Sequence, residues 1–334
     1  MTQALITSPC AIDRSQLPFL ARLTRLTLAA FGILLMESEA VSAHQQSATN
    51  SVYLFTSFHG NGEDGLRFLY SLDGYHWTNV PGTFLKPQVG PSRLMRDPSL
   101  VRADDGTYHL VWTTGWHTDQ GFGYASSTNL INWSEQKFVP VMAHEPSTVN
   151  VWAPELFHDE QRKQFIICWS STIPGRYPDF QEDHTNNHRM YFTTTMDFKQ
   201  FAPARLFFEP GFSVIDGCIL KDGNRFVLVH KDNTRPERDL RVAFGESPTG
   251  PWHDTSKPFT DHFAEGPTAL KIGGDWLIYF DAYRTKKYGA SKTRDFKTFT
   301  DISSQVSFPE GHKHGTALQV PRRDLERLLD ARAR

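Results

Sequence analysis

Short apolar runs alternate with polar turns along most of the chain, and one combination of the two recurs five times. Each copy is a strand-like run that ends in small polar residues, then a short turn, then an aromatic residue: YSLDGYHW, ASSTNLINW, TTTMDFKQF, GESPTGPW and SKTRDFKTF. The aromatic anchors are Trp77, Trp133, Phe201, Trp252 and Phe299. Anchors at intervals of roughly 50–70 residues indicate a repeat architecture.

Pairs of strand-like runs precede the middle copies. They are SLVRADDGTYHLVW, CILKDGNRFVLVH and TALKIGGDWLIYF, in which Asp-Gly or Gly-Gly is expected to form a tight hairpin turn. Each unit therefore has four antiparallel strands. Five such units of about 50 residues predict an all-β fold, a five-bladed β-propeller with four-stranded antiparallel blades.

The two ends of the repeat region predict how the propeller closes. The N-terminal runs SVYLFTSF and LRFLYSLDGYHW have no hairpin partner before them, and the last run, HGTALQV, has no strands after it. Joining these runs completes the fifth blade and leaves no bare sheet edge. A β-sandwich is the competing fold, but it does not explain repeats of this length.

The first 43 residues have a different composition. Arg14, Arg22 and Arg25 precede the apolar run LTLAAFGILLM, which is followed by ESEAVSA. This run is shorter than the roughly 20 residues that span a bilayer. We therefore expect residues 1–43 to be a secretory signal peptide cleaved after Ala43, and residues 44–334 to be one catalytic domain outside the cytoplasm. The alternative is a buried N-terminal helix.

Composition narrows the function further. The net charge of −2 gives no electrostatic argument for nucleic acid or an anionic membrane as partner. Aromatic residues make up 13% of the chain, which suits strands and exposed stacking surfaces. Cys168 and Cys218 lie in apolar strand-like runs and are expected to be buried free thiols, and no CxxC or HExxH pattern is present.

Titratable residues recur where the first strand of each blade begins. They are Asp97 in RDPSLV, Glu155 in WAPELF, Asp216 in VIDGCIL, Glu265 in AEGPTAL and His314 in KHGTALQV. Singly, each has an ordinary interpretation as a turn residue, a solvated acid or a core histidine. Because the first strand is innermost in a propeller, five such residues in register are expected to converge on one mouth of the central channel. Clustered carboxylates are costly unless the cluster has a use.

Carboxylates in a pocket with aromatic walls suit glycoside hydrolysis. One acid donates a proton to the leaving oxygen, the other activates water or attacks the sugar, and a third raises the pKa of the donor by repulsion. Trp116 and Trp152 are the wall candidates because each lies next to a loop, whereas Trp112 and Trp169 suit packing between blades. The insertion at residues 173–189, IPGRYPDFQEDHTNNHR, is predicted to wall the pocket from blade 2.

These motifs together resemble glycoside hydrolase family 43, over roughly Ser51 to Pro321. RDPSL, WAPEL, VIDG, EGP and HGT fall in the family's order, and the first block resembles a branch found among arabinogalactan-degrading bacterial enzymes. The resemblance implies that Asp97 is the general base, that Glu265 is the general acid, and that Asp216 orients the acid and raises its pKa. It also implies inversion of the anomeric centre, with the base and acid roughly 6.5–9.5 Å apart.

The resemblance extends to three supporting positions. His314 matches a histidine that often helps to hold a calcium ion or its waters, so a structural calcium ion in the channel is an open expectation. Glu155 departs from the family's usual Asp after WAP, at a position that supports the substrate. Arg284 in DAYR is a candidate contact to a sugar hydroxyl, and a surface cation beside Lys286 is the equal alternative.

The sequence predicts a secreted, inverting exo-glycosidase with no required cofactor, and α-L-arabinofuranosyl units on arabinogalactan or arabinan are the preferred substrate. β-D-Xylosidase, β-D-galactofuranosidase and exo-β-1,3-galactanase activities remain open because one fold hosts them all. Retaining fructan hydrolases rank low, since their NDPNG nucleophile motif is absent. A non-catalytic carbohydrate-binding propeller is the hypothesis from another class.

Overall fold

Five small antiparallel sheets, one for each repeat unit, make up the fold in a computed structural model that describes residues 50–178 and 185–333. This confirms the predicted five-bladed propeller. The predicted signal peptide and its cleavage after Ala43 lie outside the described residues. No helix within the described ranges is long and apolar enough to cross a membrane.

The strands follow the repeat. The N-terminal strands β1 (Ser51–Ser57), β2 (Leu66–Ser71) and β3 (Thr78–Leu85) belong to blade 5. Blade 1 comprises β4 (Arg96–Arg102), β5 (Tyr108–Thr113), β6 (Phe122–Ser127) and β7 (Lys137–Val139), and blade 2 comprises β8 (Trp152–Asp159), β9 (Gln164–Thr172), β10 (His188–Thr195) and β11 (Arg205–Phe208). Blade 3 comprises β12 (Val214–Asp222), β13 (Arg225–Asp232) and β14 (Asp239–Gly245), and blade 4 comprises β15 (Ala264–Ile272), β16 (Asp275–Ala282), β17 (Lys287–Thr293) and β18 (Thr300–Asp301). The last strand, β19 (Ala317–Pro321), is followed by helix α1 (Arg322–Ala333).

The ring closes as the sequence predicts. Strand β19 lies beside β1 as the innermost strand of blade 5, and Thr56 N–H donates to the Thr316 carbonyl over 3.0 Å. Blade 3 departs from the four-stranded prediction. Its sheet has three strands, and an isolated bridge between Phe244 and His253 stands where a fourth would run.

The repeated turn has one structural cause. In four of its copies an Asp or Asn side chain accepts hydrogen bonds from the two backbone N–H groups at the second and third positions after it, so the chain reverses without unpaired donors. These residues are Asp73, Asn129, Asp197 and Asp295. The aromatic anchor that follows each turn packs into the cluster shared with the preceding blade. Trp77, Trp133, Phe201, Trp252 and Phe299 thus belong to five different clusters.

Two of the three predicted hairpin turns are tight. Asp222 pairs with Arg225 across Gly223-Asn224, and Ile272 pairs with Asp275 across Gly273-Gly274. The third turn, ADDGT, is longer, because Arg102 pairs with Tyr108. Cys168 and Cys218 are buried and free, as expected.

Helix α1 was not predicted, and it seals the seam between blades 5 and 1. Leu325 and Leu328 are buried in the cluster that these two blades share, and the buried Asp324 accepts the Tyr108 hydroxyl over 2.7 Å. The segment is amphipathic, with Leu325 and Leu328 on its buried side. A segment of 12 residues nevertheless gives a weak helix signal by itself.

Truncating Leu328 tests the contribution of this helix. Leu328 is fully buried, so Leu328→Ala is expected to lower the free energy of unfolding by about 2–5 kcal/mol, through lost burial and the cavity left behind. Urea unfolding followed by fluorescence measures it. The matched control is Leu329→Ala in the same helix. Leu329 is 36% exposed, and its truncation should cost less than about 1 kcal/mol. Equal losses would contradict the packing role.

Candidate active site

The innermost strands share a backbone irregularity where they begin. In β4, β8, β12 and β15 the pairing shifts register between residues 96 and 99, 152 and 155, 215 and 218, and 265 and 268. The second residue of each bulge has a left-handed backbone. These residues are Asp97 (φ 50°), Ala153 (φ 45°), Asp216 (φ 55°) and Gly266 (φ 57°). A bulge re-aims a side chain, and strained left-handed residues other than glycine concentrate at functional sites.

The fifth innermost strand is aligned with the others by hydrogen bonds between blades. Leu156 N–H donates to Ser99 Oγ over 3.0 Å, and Ala317 N–H donates to Thr268 Oγ1 over 2.9 Å. Ser99 and Thr268 hold the same place in their bulges. Leu156 therefore corresponds to Ala317, and His314 corresponds to Asp97.

This alignment divides the strand starts into three rings around the channel. The outer ring, at the mouth where the strands begin, is Arg96, Trp152, Ile215, Glu265 and Lys313. The middle ring is Asp97, Ala153, Asp216, Gly266 and His314. The inner ring is Ser99, Glu155, Cys218, Thr268 and Thr316.

The expectation that five titratable residues share one register is therefore wrong in two places. Asp97, Asp216 and His314 are equivalent, but Glu265 lies one residue earlier and Glu155 two residues later. The physical reason is the bulge, which shifts the pairing where the motifs begin. Consequently Glu265 belongs to the mouth, and Glu155 lies deeper in the channel.

Asp97 is held as a carboxylate. The Thr113 hydroxyl donates to it over 2.7 Å, and His314 Nε2 contacts its other oxygen. Thr113 is itself fixed, since its oxygen accepts the Ala153 N–H over 2.8 Å. Burial alone would raise the pKa of Asp97, but the charge and hydrogen bond of His314, with Arg96 and Thr113, lower that pKa to about 2.

Asp216 and Gly266 bring blades 3 and 4 together. The buried Asp216 carboxylate accepts the Gly266 N–H over 3.0 Å. Burial raises the pKa of Asp216. Glycine is required at position 266, because the backbone is left-handed and a Cβ there would lie 1.8 Å from His314 Nδ1. The EGP motif thus lets the His314 ring approach the backbone.

Glu265 has a partner that the sequence did not reveal. The buried Lys231 on β13 places its Nζ 2.8 Å from the Glu265 carboxylate. Burial would raise the pKa of Glu265, but the charges of Lys231 and His314 and the hydrogen bond from Lys231 together lower it. A general acid must carry a proton, so this ion pair opposes the role that the resemblance implies and favours activity at acidic pH.

Replacing Lys231 should widen the pH range. Glu265 loses its proton as the pH rises through its pKa, and Lys231 lowers that pKa. Lys231→Met should therefore move the alkaline limb of the kcat/KM profile upward by at least about one pH unit. Lys221→Met is the control, because Lys221 is exposed at the far end of the same blade. An alkaline limb that stays in place or moves downward would refute the assignment.

Below the mouth, a pocket open to solvent is lined by Asp97, Glu155, Asp216, Pro267, His314 and Thr316, among others. Glu155 contacts the Thr316 hydroxyl over 3.3 Å, and burial raises the pKa of Glu155 to about 7. Asp281, paired with Glu265 across β15 and β16, is also buried, and burial raises its pKa to about 6.

Trp116 and Trp152, the predicted aromatic wall, lie in contact beside blades 1 and 2, and their role in binding sugar stays a prediction. Trp116 is 45% exposed and meets Trp152 edge to face at 5.7 Å, while Trp152 stacks on His188 at 4.8 Å. Trp112 and Trp169 are fully buried, in agreement with a packing role. Arg284 is exposed and stacks on Phe263 at 3.5 Å, and its contact to a sugar hydroxyl stays a prediction.

The blade 2 insertion is described only in part. Residues 179–184 lie outside the described residues, and the segment rejoins the sheet at His188, so the last two residues of the predicted insertion belong to β10. Arg176 at its start forms an ion pair with Glu145. Its role as a wall of the pocket stays a prediction.

The channel residues do not fit a calcium site built on His314. Burial would lower the pKa of His314, but Asp97 and its neighbours raise it to about 10, which favours the imidazolium, a form that has no lone pair for a cation. Calcium also prefers six to eight oxygen ligands. In the described part of the chain, Asp104, His158 and Glu160 form a group with metal-like spacing, but it lies at the other end of the blades and Lys163 Nζ is 2.7 Å from Asp104.

Three site residues were missed, namely Thr113, Lys231 and Asp281. All three lie at the end of the second strand of a blade or one residue before it, and they pair with outer-ring residues across the hairpin. Counting residues outward from each hairpin turn would have located these partners of the outer ring to within one residue. The remaining error of one residue comes from the bulge, which adds a residue to the first strand.

Comparison with known proteins gives a family and partial relatives. The glycosyl hydrolase 43-related family, described as "Probable glycosyl hydrolase domain", matches residues 49–326. An α-L-arabinofuranosidase of Bifidobacterium longum subsp. longum is 25% identical over 174 residues, which are 46% of this chain and 16% of that enzyme. A fructan 6-exohydrolase of Beta vulgaris is 31% identical over 83 residues, 23% of this chain and 14% of that enzyme. Each match thus spans less than a fifth of the curated relative.

Among solved structures, a thermostable family-43 glycoside hydrolase superposes with a TM-score of 0.51 at 17% identity. The match covers 66% of this chain and 78% of that one. At this identity the likeness concerns the fold alone.

Proposed function

The chain belongs to the glycosyl hydrolase 43-related family, and we propose that it is an inverting exo-glycosidase that removes terminal α-L-arabinofuranosyl units from arabinogalactan or arabinan. The observation that carries this proposal is that Asp97, Asp216 and Glu265, from three different blades, lie close enough at one end of the channel to influence one another's charge. The match to an α-L-arabinofuranosidase supports the choice of sugar.

Asp97 and Glu265 divide the chemistry. Asp97, kept ionised by His314 and Thr113, takes a proton from a water molecule that attacks the anomeric carbon. Glu265 donates its proton to the leaving oxygen on the other side of the sugar. The water proton ends on Asp97, and the proton of Glu265 leaves with the aglycone. Asp216 fixes Gly266 and, through it, the backbone that carries Glu265.

A monosaccharide release assay tests the activity and the sugar. Residues 44–334 are incubated with arabinogalactan, arabinan and arabinoxylan, and the sugars released are identified by chromatography. We expect arabinose. Xylose or galactose would keep the mechanism and change the substrate to that of a β-D-xylosidase, a β-D-galactofuranosidase or an exo-β-1,3-galactanase.

The second candidate is a carbohydrate-binding propeller without turnover. One observation favours it, namely the buried Lys231 that holds the general-acid candidate as a carboxylate. Binding of arabinogalactan by the wild type, with no release of sugar between about pH 4 and pH 8, would support this candidate over the enzyme.

We also propose that the domain acts outside the cytoplasm, which rests on the basic and apolar leader before Ala43. N-terminal sequencing of the exported protein should give His44 as the first residue, and an intact leader would contradict cleavage there.

A further inference from the structure

Two cations stand side by side at the mouth. Arg96 of blade 1 and Lys313 of blade 5 hold equivalent places in the outer ring and lie against the same ring, that of Phe58, at 4.9 and 5.7 Å from its centroid. The outer ring follows the order of the blades, so Lys313 lies between Glu265 and Arg96. A sugar held between Asp97 and Glu265 therefore has both cations beside it.

Arg96 is held in place before any ligand arrives. Its guanidinium also lies over Trp116, at 4.1 Å, and donates to Asn61 Oδ1 over 2.9 Å. The same Asn61 oxygen accepts the Trp116 Nε1–H over 2.7 Å. The hydrogen bond to Asn61 uses one nitrogen of the guanidinium, and its other N–H groups remain for a ligand.

Neither cation forms an ion pair within the described part of the chain. Over residues 50–178 and 185–333, no carboxylate oxygen lies within 4.0 Å of Arg96 or Lys313, and the Lys313 ammonium donates no hydrogen bond. Other cations of the site and its surroundings are paired: His314 with Asp97, Lys231 with Glu265, and Arg241 with Asp232. At longer range the charge of Arg96 acts on Asp97 and that of Lys313 acts on Asp281, but neither side chain is in contact with a carboxylate of the described residues, so both cations remain available to an anionic ligand.

A neutral sugar gives no reason to keep two unpaired cations at its binding site. A carboxylate does, because charge-assisted hydrogen bonds from a guanidinium and an ammonium are among the strong ones, and guanidinium geometry matches a carboxylate. We propose that Arg96 and Lys313 form a carboxylate subsite and that the substrate carries a uronic acid residue at or next to the cleaved bond. This rests on the proposed glycosidase function for the site, but it concerns binding and can be tested without turnover.

The test compares two disaccharides that differ in one group. Isothermal titration calorimetry of the wild type gives the Kd for glucuronosyl-(β1,6)-galactose and for the same disaccharide after reduction of its carboxyl group. We expect at least tenfold tighter binding of the acid in 20 mM salt, with a smaller ratio in 500 mM salt, where exposed charges are screened. Lys313→Met should bring the ratio below threefold, and Lys313→Gln is the second variant if the first folds poorly. Lys297→Met removes an exposed lysine at the tip of blade 4 and should keep the ratio.

Equal affinities in the wild type, or a preference that survives in both Lys313 variants, would overturn the subsite. The release assay on neutral arabinan is independent of this result. Acid-selective binding without any release of sugar would keep the carboxylate subsite and reject the glycosidase function. Release of arabinose with no preference for the acid would keep the glycosidase function and reject the subsite.

Discussion

Asp97→Asn is expected to lower kcat/KM on arabinogalactan at least about 10²-fold and to leave the fold intact. The asparagine amide keeps the size of the carboxylate and can still accept the Thr113 hydroxyl, but it cannot take a proton from water. It also removes the charge that faces His314, so the imidazole loses the partner that raises its pKa.

The control for this variant lies on the same blade. Asp104→Asn removes an exposed carboxylate just beyond the other end of β4, where it pairs with Lys163, and its activity should stay within twofold of the wild type. Initial rates and a circular dichroism spectrum of each variant measure the effect. Loss of activity with an unfolded spectrum would mean that the Asp97–His314 contact is needed for folding. Full activity in a folded Asp97→Asn would show that Asp97 has no part in the mechanism.

Glu265→Gln should show an effect that depends on the leaving group. On the polysaccharide, whose leaving oxygen needs a proton, we expect a loss of about 10²–10⁴-fold in kcat/KM. In a 2,4-dinitrophenyl glycoside the leaving group is 2,4-dinitrophenolate, which departs readily without a proton. Hydrolysis of this substrate should therefore fall by less than about tenfold. The variant also frees Lys231 from its ion pair, so thermal stability is measured beside the rates.

Glu160→Gln is the control, since Glu160 is exposed at the blade 2 hairpin and faces no catalytic group. Equal losses on both substrates for Glu265→Gln would mean that Glu265 supports the structure of the mouth and does not donate the proton. Together with the Lys231→Met profile, the two substrates separate proton donation from charge balance at the same carboxylate.

The repeat made the fold predictable, because each copy contains the residues that form its own turn and anchor its own blade. The turn acids Asp73, Asn129, Asp197 and Asp295 bond their own neighbouring backbone, and the aromatic anchors pack against the preceding blade. These are short-range patterns that a sequence displays. Helix α1 has no such repeat, and its burial depends on a seam that exists only once the ring has closed.

The site was predictable only to within a residue or two. Asp97, Asp216 and His314 share a ring as expected, but the bulges place Glu265 at the mouth and Glu155 in the channel. Lys231 escaped notice because it lies on the second strand of blade 3, and nothing near it in sequence indicates an acid 34 residues away. Contacts between blades are set by three-dimensional packing and leave no local pattern.

The most direct test of the central claim is the configuration of the first sugar released. Wild-type enzyme and 4-nitrophenyl α-L-arabinofuranoside are mixed in an NMR tube, and the anomeric signals are followed from the first minute, before mutarotation. A water activated by Asp97 on the face opposite to Glu265 predicts β-L-arabinofuranose as the first product. Initial formation of the α anomer would mean that a carboxylate attacks the sugar directly, and it would contradict the roles assigned to Asp97 and Glu265.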